Sequence, residues 1–269
     1  MTAPAGAQQQ LASSRTRLSE QLVAALTALF AALGSWRDAD ADRFTRQATP
    51  LVQGAQQALA GLVAAWLAQT ASQQTGQTVP APVIPASAIT DLRGISTSEV
   101  YRRPFRELWA ALAEGKTLAE AVQQGQSRLR ELADGDLQST YAHANREGMQ
   151  RLPEDAQPTS WRRVLQGTSS CALCVLASTH RYTISDLNPI HPRCDCTVQP
   201  VYGRDEARAA DDARLERVHQ AAAELTGQRD RSGRRSDYRQ IQITHEHGEL
   251  GPMLARPGDH FTGPAEIPQ

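Results

Sequence analysis

Four cysteines and one histidine mark the place where residue types and spacing name a chemistry. Cys171 and Cys174 form a C-x-x-C pair, and His191, Cys194 and Cys196 follow in the run His191-Pro192-Arg193-Cys194-Asp195-Cys196. The other parts of the chain hold no cysteine. Thiolates and an imidazole gathered this way suit a borderline-soft cation such as zinc. A C-x-x-C turn places two sulfurs on one side of the ion, and a second close pair completes a tetrahedron. Structural zinc takes four ligands, and five candidates are present. Cys171 and Cys174 are the firmer half. H-x-x-C and C-x-C spacings both chelate from a tight turn, so the remaining places stay open among His191, Cys194 and Cys196.

The competing readings are two disulfides or four thiols in a small core. Disulfides need an oxidising compartment, and the N-terminus lacks a basic stretch followed by an apolar one, so no secretory leader is expected. A catalytic zinc keeps an open coordination position, and H-E-x-x-H is missing, so a structural ion is expected. No catalytic residue and no other cofactor-binding residue is assigned.

Bulk properties exclude other classes. Formal net charge is −1, so no global field draws the chain to nucleic acid or to a membrane surface. Lys116 is the sole lysine. The greasiest run, Leu59 to Leu67, is interrupted by Gly61 and reads as too short to cross a bilayer. No small-molecule substrate site is marked.

The elements that must position the cysteines are mostly helical. Residues 1–10, rich in Ala, Gly and Gln, read as a disordered start. Leu11, Leu18, Leu22, Leu26, Leu29 and Leu33 recur at helical steps, with Gly34 as a stop. Phe44, Ala48, Leu51, Ala55, Leu59, Leu62 and Trp66 predict a second helix, which Pro50 kinks or bounds. Gln69 to Ala88 is polar, then Pro-rich, and reads as a linker or a long strap. Ser96 with Glu99, and Thr117 with Glu120, have the spacing of capping boxes. The first opens a helix through Leu112 with Pro104 in its early turns. The second opens a long polar helix toward Met149.

Strands are expected at Trp161–Leu165, His180–Ile184 and Thr197–Tyr202, with the cysteines on turns between them. A unit that small lacks a core of its own. Below roughly 40 residues a metal or disulfides usually supply the missing stabilisation, so chelation is expected to cost the fold of residues 160–202. A helix through Ala207, Leu215, Val218 and Leu225 follows. Next come arginines from Arg229 to Arg239, then a strand over Tyr238–Thr244 whose turn uses His245 to Gly248 and returns through Leu250 and Met253.

The expected class is therefore α+β, mainly α: a helical N-terminal half, a small zinc-stapled module of short strands, and a C-terminal helix plus hairpin. The boundaries read as a helical hairpin (1–70), a Pro/Gln-rich linker (71–95), a helical region (96–153), a Cys/His metal-binding module (154–203) and a helix-and-hairpin tail (204–269).

The run Trp161-Arg162-Arg163-Val164-Leu165-x-Gly167, then Cys171-x-x-Cys174, His191-Pro192-x-Cys194-x-Cys196 and Pro200, resembles the MuF-like family of phage head-morphogenesis proteins. Val100-Tyr101-Arg102-Arg103-Pro104, the tail from Tyr238 through His247-Gly248-Glu249, and His260-Phe261-Thr262-Gly263-Pro264 are similar to the version found in actinobacterial phages. The resemblance covers residues 97–264. It implies a minor capsid protein located in the virion, in the head interior or near the portal. Such a protein assembles with portal, scaffold or major capsid protein, and contacts packaged DNA weakly if at all.

Some members of that type are labelled capsid maturation proteases. That alternative would need a nucleophile such as Ser169 or Ser170 beside a histidine, and no G-x-S-x-G is present. The arginines from Arg229 to Arg239 suit phosphate contact or a solvated loop.

Overall fold

The computed structural model describes residues 5–166, 172–187, 196–203, 220, 243–247 and 251–255. Five helices form the first part: α1 (Ala5–Ala31), α2 (Asp38–Thr75), α3 (Thr97–Val100), α4 (Arg103–Ala113) and α5 (Leu118–Gln150). The mainly α architecture expected from the periodicity is therefore present, and a small sheet follows it.

Helix α1 begins well before Leu11, which corrects the expectation of a disordered start over its residues 5–10. The reason is tertiary. Gln8 is buried, and its Nε2 donates to Thr197 Oγ1 at 2.8 Å and to the Val198 carbonyl at 3.3 Å. The turn into α2 is held by Asp40, whose carboxylate accepts from the Ser35 N–H (2.8 Å), the Ser35 hydroxyl (2.8 Å) and the Trp36 N–H (2.9 Å). Those bonds, Ser35's first, hold the Asp40 carboxyl below its ordinary range.

Helix α2 runs on to Thr75, so the linker does not begin at 69 as its composition predicted, and Pro50 lies inside the helix. Composition misleads here because Thr70 and Ala71 are buried, and packing outweighs weak propensity. Gly76 closes the helix in the left-handed region (φ 72°), its N–H donating to the Ser72 carbonyl. By length and composition α2 is apolar enough to cross a bilayer, which corrects the reading that no segment qualifies. However, 56% of its most apolar window is buried inside the protein.

The Pro-rich stretch after Gly76 is a strap laid on the helices. Val79 and Ile89 are buried along it, and Thr140 Oγ1 of α5 donates to the Ile89 carbonyl at 3.3 Å. Gly148 of α5 lets α2 approach closely: an added Cβ would collide with Leu67 Cδ1, whereas the strap's Ile84 Cδ1, at 3.5 Å, would lie in ordinary contact.

The two capping signals differ in outcome. Thr117 and Glu120 complete both halves of a box at the start of α5, and that pairing holds the Glu120 carboxyl below its ordinary value. Ser96 caps α3 by accepting from the Glu99 N–H, but the Glu99 carboxylate pairs with Arg106 instead of reaching back. The expected single helix is in fact two, parted at Tyr101 and Arg102, with Pro104 in the first turn of α4.

The main core lies among α1, α2, α4 and α5. At its centre Phe30, Phe44 and Phe105 meet with ring centroids 5.1 to 5.6 Å apart. A buried network ties the strap to α5. Arg93 Nε donates to Asp136 Oδ1, and the Tyr101 hydroxyl donates to Asp136 Oδ2, each at 2.9 Å.

Strands β1 (Ser160–Val164), β2 (Arg181–Tyr182) and β3 (Thr197–Val201) form an antiparallel sheet in the order β2-β1-β3. A short helix, α6 (Ala172–Ala177), lies between β1 and β2 in the chain. The strand expected over His180–Ile184 shrinks to two residues, because Ile184–Asp186 turns as a 3₁₀ helix. Trp161, Leu187 and Val198 belong to the same core cluster as the helices, so the sheet does not stand as a separate lobe.

A second hairpin pairs β4 (Ile243–His247) with β5 (Gly251–Ala255). The hairpin was expected, but its register differs. His245, Glu246 and His247 are strand residues opposite Met253, Pro252 and Gly251, not turn residues. Of the helix expected over 207–225 only Gln220 is described, and it is helical; the arginines from Arg229 to Arg239 lie outside the described residues.

Candidate metal centre

Two of the five predicted ligands are described, one from each half of the motif. Cys174 lies on α6 rather than on a turn, and Cys196 directly precedes β3. The fold brings them together. Both are buried, at 1% and 2% exposure, in one cluster with Leu173 and Ala177, against which Leu165 packs. Cys171, His191 and Cys194 lie outside the described residues. Among the described residues, no group of three His, Cys, Asp or Glu side chains stands together to hold an ion.

The surroundings of Cys196 are polar and cationic, although the cluster itself is apolar. Strand β1 alternates in burial, so Trp161 and Arg163 both face inward. Arg163 is 4% exposed, and its Nη1 lies 3.5 Å from Cys196 Sγ, as a donor. The guanidinium carbon lies 4.9 Å from the Trp161 ring centre and 5.8 Å from that of Tyr182. Those two rings stack at 4.6 Å and 22°. Trp161 Nε1 donates to the Thr183 carbonyl at 2.7 Å, and the Tyr182 hydroxyl donates to the Ala177 carbonyl at 2.8 Å. Burial pushes the Tyr182 hydroxyl up to about 12, with Arg163 opposing.

A second set of groups reaches the same stretch from the helices. Arg15 of α1 donates to the Cys196 carbonyl at 3.3 Å and lies over the Tyr141 ring at 4.7 Å. The Tyr141 hydroxyl of α5 accepts from the Val198 N–H at 3.1 Å, and burial raises its pKa. With Gln8, these side chains bind the backbone from Cys196 to Val198 to both α1 and α5.

The two described cysteines are donors that a structural zinc would use, half of the four it takes. The two described sulfurs are withdrawn from water, they share one cluster, and a cationic N–H donor lies beside one of them. Arg163, Arg15 and Gln8 were not singled out from the sequence, yet signals for all three exist. Arg163 stands two residues from Trp161 on a strand. Gln8 and Arg15 fall on the stripe that contains Leu11 and Leu22 at helical spacing.

The VG15 protein family matches residues 2–222. The chain belongs to the VG15 family. This makes it a phage protein, and the family points to a virion-associated one. The match runs through α1 to α5 and on past β3, so this VG15 chain carries its helices and its cysteine-bearing sheet inside one family unit. No curated protein and no solved structure matches the chain.

Proposed function

We propose that this VG15 chain is a MuF-like minor capsid protein of a tailed bacteriophage, acting in head morphogenesis and held in shape by one structural zinc. The observation that carries the reading is the family match over residues 2–222. Cys174 and Cys196 share one buried cluster, which supports a ligand set drawn from Cys171, Cys174, His191, Cys194 and Cys196. The partners are portal, scaffold or major capsid subunits in the procapsid interior. Long helices with apolar residues left on the surface of α2, such as Leu51 and Leu62, offer area for such docking.

The test is compositional. Procapsids and virions purified from infected cells are digested and quantified by mass spectrometry, alongside zinc by native mass spectrometry of the isolated chain. The expected result is a few copies per particle and one zinc per chain. Absence of the chain from both particles overturns the placement, and a metal-free chain with bridged sulfurs overturns the zinc.

A further inference from the structure

Arg163 is a buried cation on β1. Taking a guanidinium out of water costs several kcal/mol unless charge and hydrogen bonds answer it. Here the guanidinium lies beside a ladder of two aromatic rings, and one of its N–H donors is directed at Cys196 Sγ. A neutral thiol is a weak acceptor, whereas a thiolate is a strong one whose charge answers the cation. Metal-bound thiolates need such donors. Outer hydrogen bonds orient the ligand, spread its charge and tune how tightly the ion is held.

We infer that Cys196 is one of the four zinc ligands and that Arg163 is the positioning residue that donates to its thiolate. The inference rests on the zinc reading above and deepens it. It narrows the ligand choice: with Cys196 assigned, His191 and Cys194 contend for what the second pair has left. It also gives β1 a role at the site, although that strand holds no cysteine. Trp161 and Tyr182 stack with one another, and the guanidinium lies over both ring faces, which limits the directions in which its N–H groups point. Arg15 adds a contact from α1. By holding the Cys196 carbonyl, it fixes the backbone from which the sulfur projects.

The experiment uses the full chain. Zinc affinity is measured by competition with a chromophoric chelator, and the cobalt-substituted chain is read by its sulfur-to-cobalt charge-transfer absorption. Arg163→Met is expected to weaken zinc binding by about 10- to 100-fold and to shift that absorption. Arg163→Lys, which keeps a charge and one donor, should recover part of both. Cys196→Ser should reduce the charge-transfer intensity by one thiolate's share. A purely structural arginine would lower the melting temperature and leave the absorption unmoved. If Arg163→Met does not fold, Arg163→Lys and Cys196→Ser decide the matter by the same readings. A wild-type chain that binds zinc, with affinity and absorption unchanged in the Arg163 variants or full thiolate intensity in Cys196→Ser, overturns this inference alone. A wild-type chain that binds no metal overturns the zinc reading and this inference with it.

Discussion

The helices of residues 5–150 and the sheet of residues 160–201 solve the same problem in different ways. The helices bury their own aromatic centre, Phe30, Phe44 and Phe105, with elements contributed by their own stretch of chain. The sheet cannot do this. Its strands are two to five residues long, and Trp161 and Val198 enter the core the helices have built. The lesson concerns what a metal would be for. A free-standing cysteine module needs an ion to fold at all. A sheet joined to a helical core through Gln8, Arg15 and Tyr141 does not depend on an ion alone for its place in the fold.

This contrast can be broken by experiment. The largest effect belongs to Trp161→Ala, which removes a fully buried ring at the junction. A loss of about 3–5 kcal/mol is expected, with helical and aromatic circular dichroism falling in one transition. Two separate transitions would show that the sheet and helices are independent, against the shared core.

Acid should act through His143 on α5. Burial, assisted by Arg146, lowers its pKa from 6.5 to about 4, and Arg146 donates to its Nδ1 at 2.9 Å. Because the folded value is depressed, the unfolded chain binds the extra proton first as pH drops below 6.5. Stability should therefore fall between pH 6.5 and about 4, and this contribution should level off below that. The partly exposed ring makes the loss on the order of 2 kcal/mol. Denaturant titrations of the wild type and His143→Gln should differ in slope over that window. Parallel profiles would remove His143 from the account.

Tyr141→Phe tests the joint itself. It deletes the acceptor for the buried Val198 N–H, at an expected cost of about 1–3 kcal/mol, with amide exchange rising at β3 before α5. Equal protection in both proteins would mean the hydroxyl joins nothing. The smallest effect, about 1 kcal/mol, is expected for Thr117→Ala, which removes the cap of α5 while leaving the sheet contacts in place. A thermal melt measures it. A larger drop at the sheet than at the helices would reverse the dependence proposed between the two.

The periodic helices were the legible part. Apolar spacing from Leu11 to Leu33 and from Phe44 to Trp66 found α1 and α2, and Thr117 with Glu120 located the start of α5. Errors came where distant contacts outweighed local preference. Residues 5–10 looked disordered because nothing near them in sequence explains a helix, but Gln8 is answered by Thr197. The stretch after Gln69 looked like a linker because its composition is polar and small, yet Ala71 is buried with Val79 and Leu152. At the candidate centre, the cysteine spacing named candidate ligands, of which Cys174 and Cys196 share one buried cluster. It could not name Arg163, for which the signal is the alternation of β1 that puts it on the inward face with Trp161.

Local chemistry that spacing alone can express was thus legible in the amino-acid sequence: which stretches are amphipathic and where α5 is capped. Spacing carries that information because it acts through neighbours a few bonds or one helical turn away. Which surfaces meet was decided only by the folded chain. The close approach of Cys174 to Cys196, the guanidinium beside the sulfur and the union of sheet with helices all join residues far apart in sequence. Such contacts arise when apolar area is buried together, a cost and a gain that no short window of sequence contains.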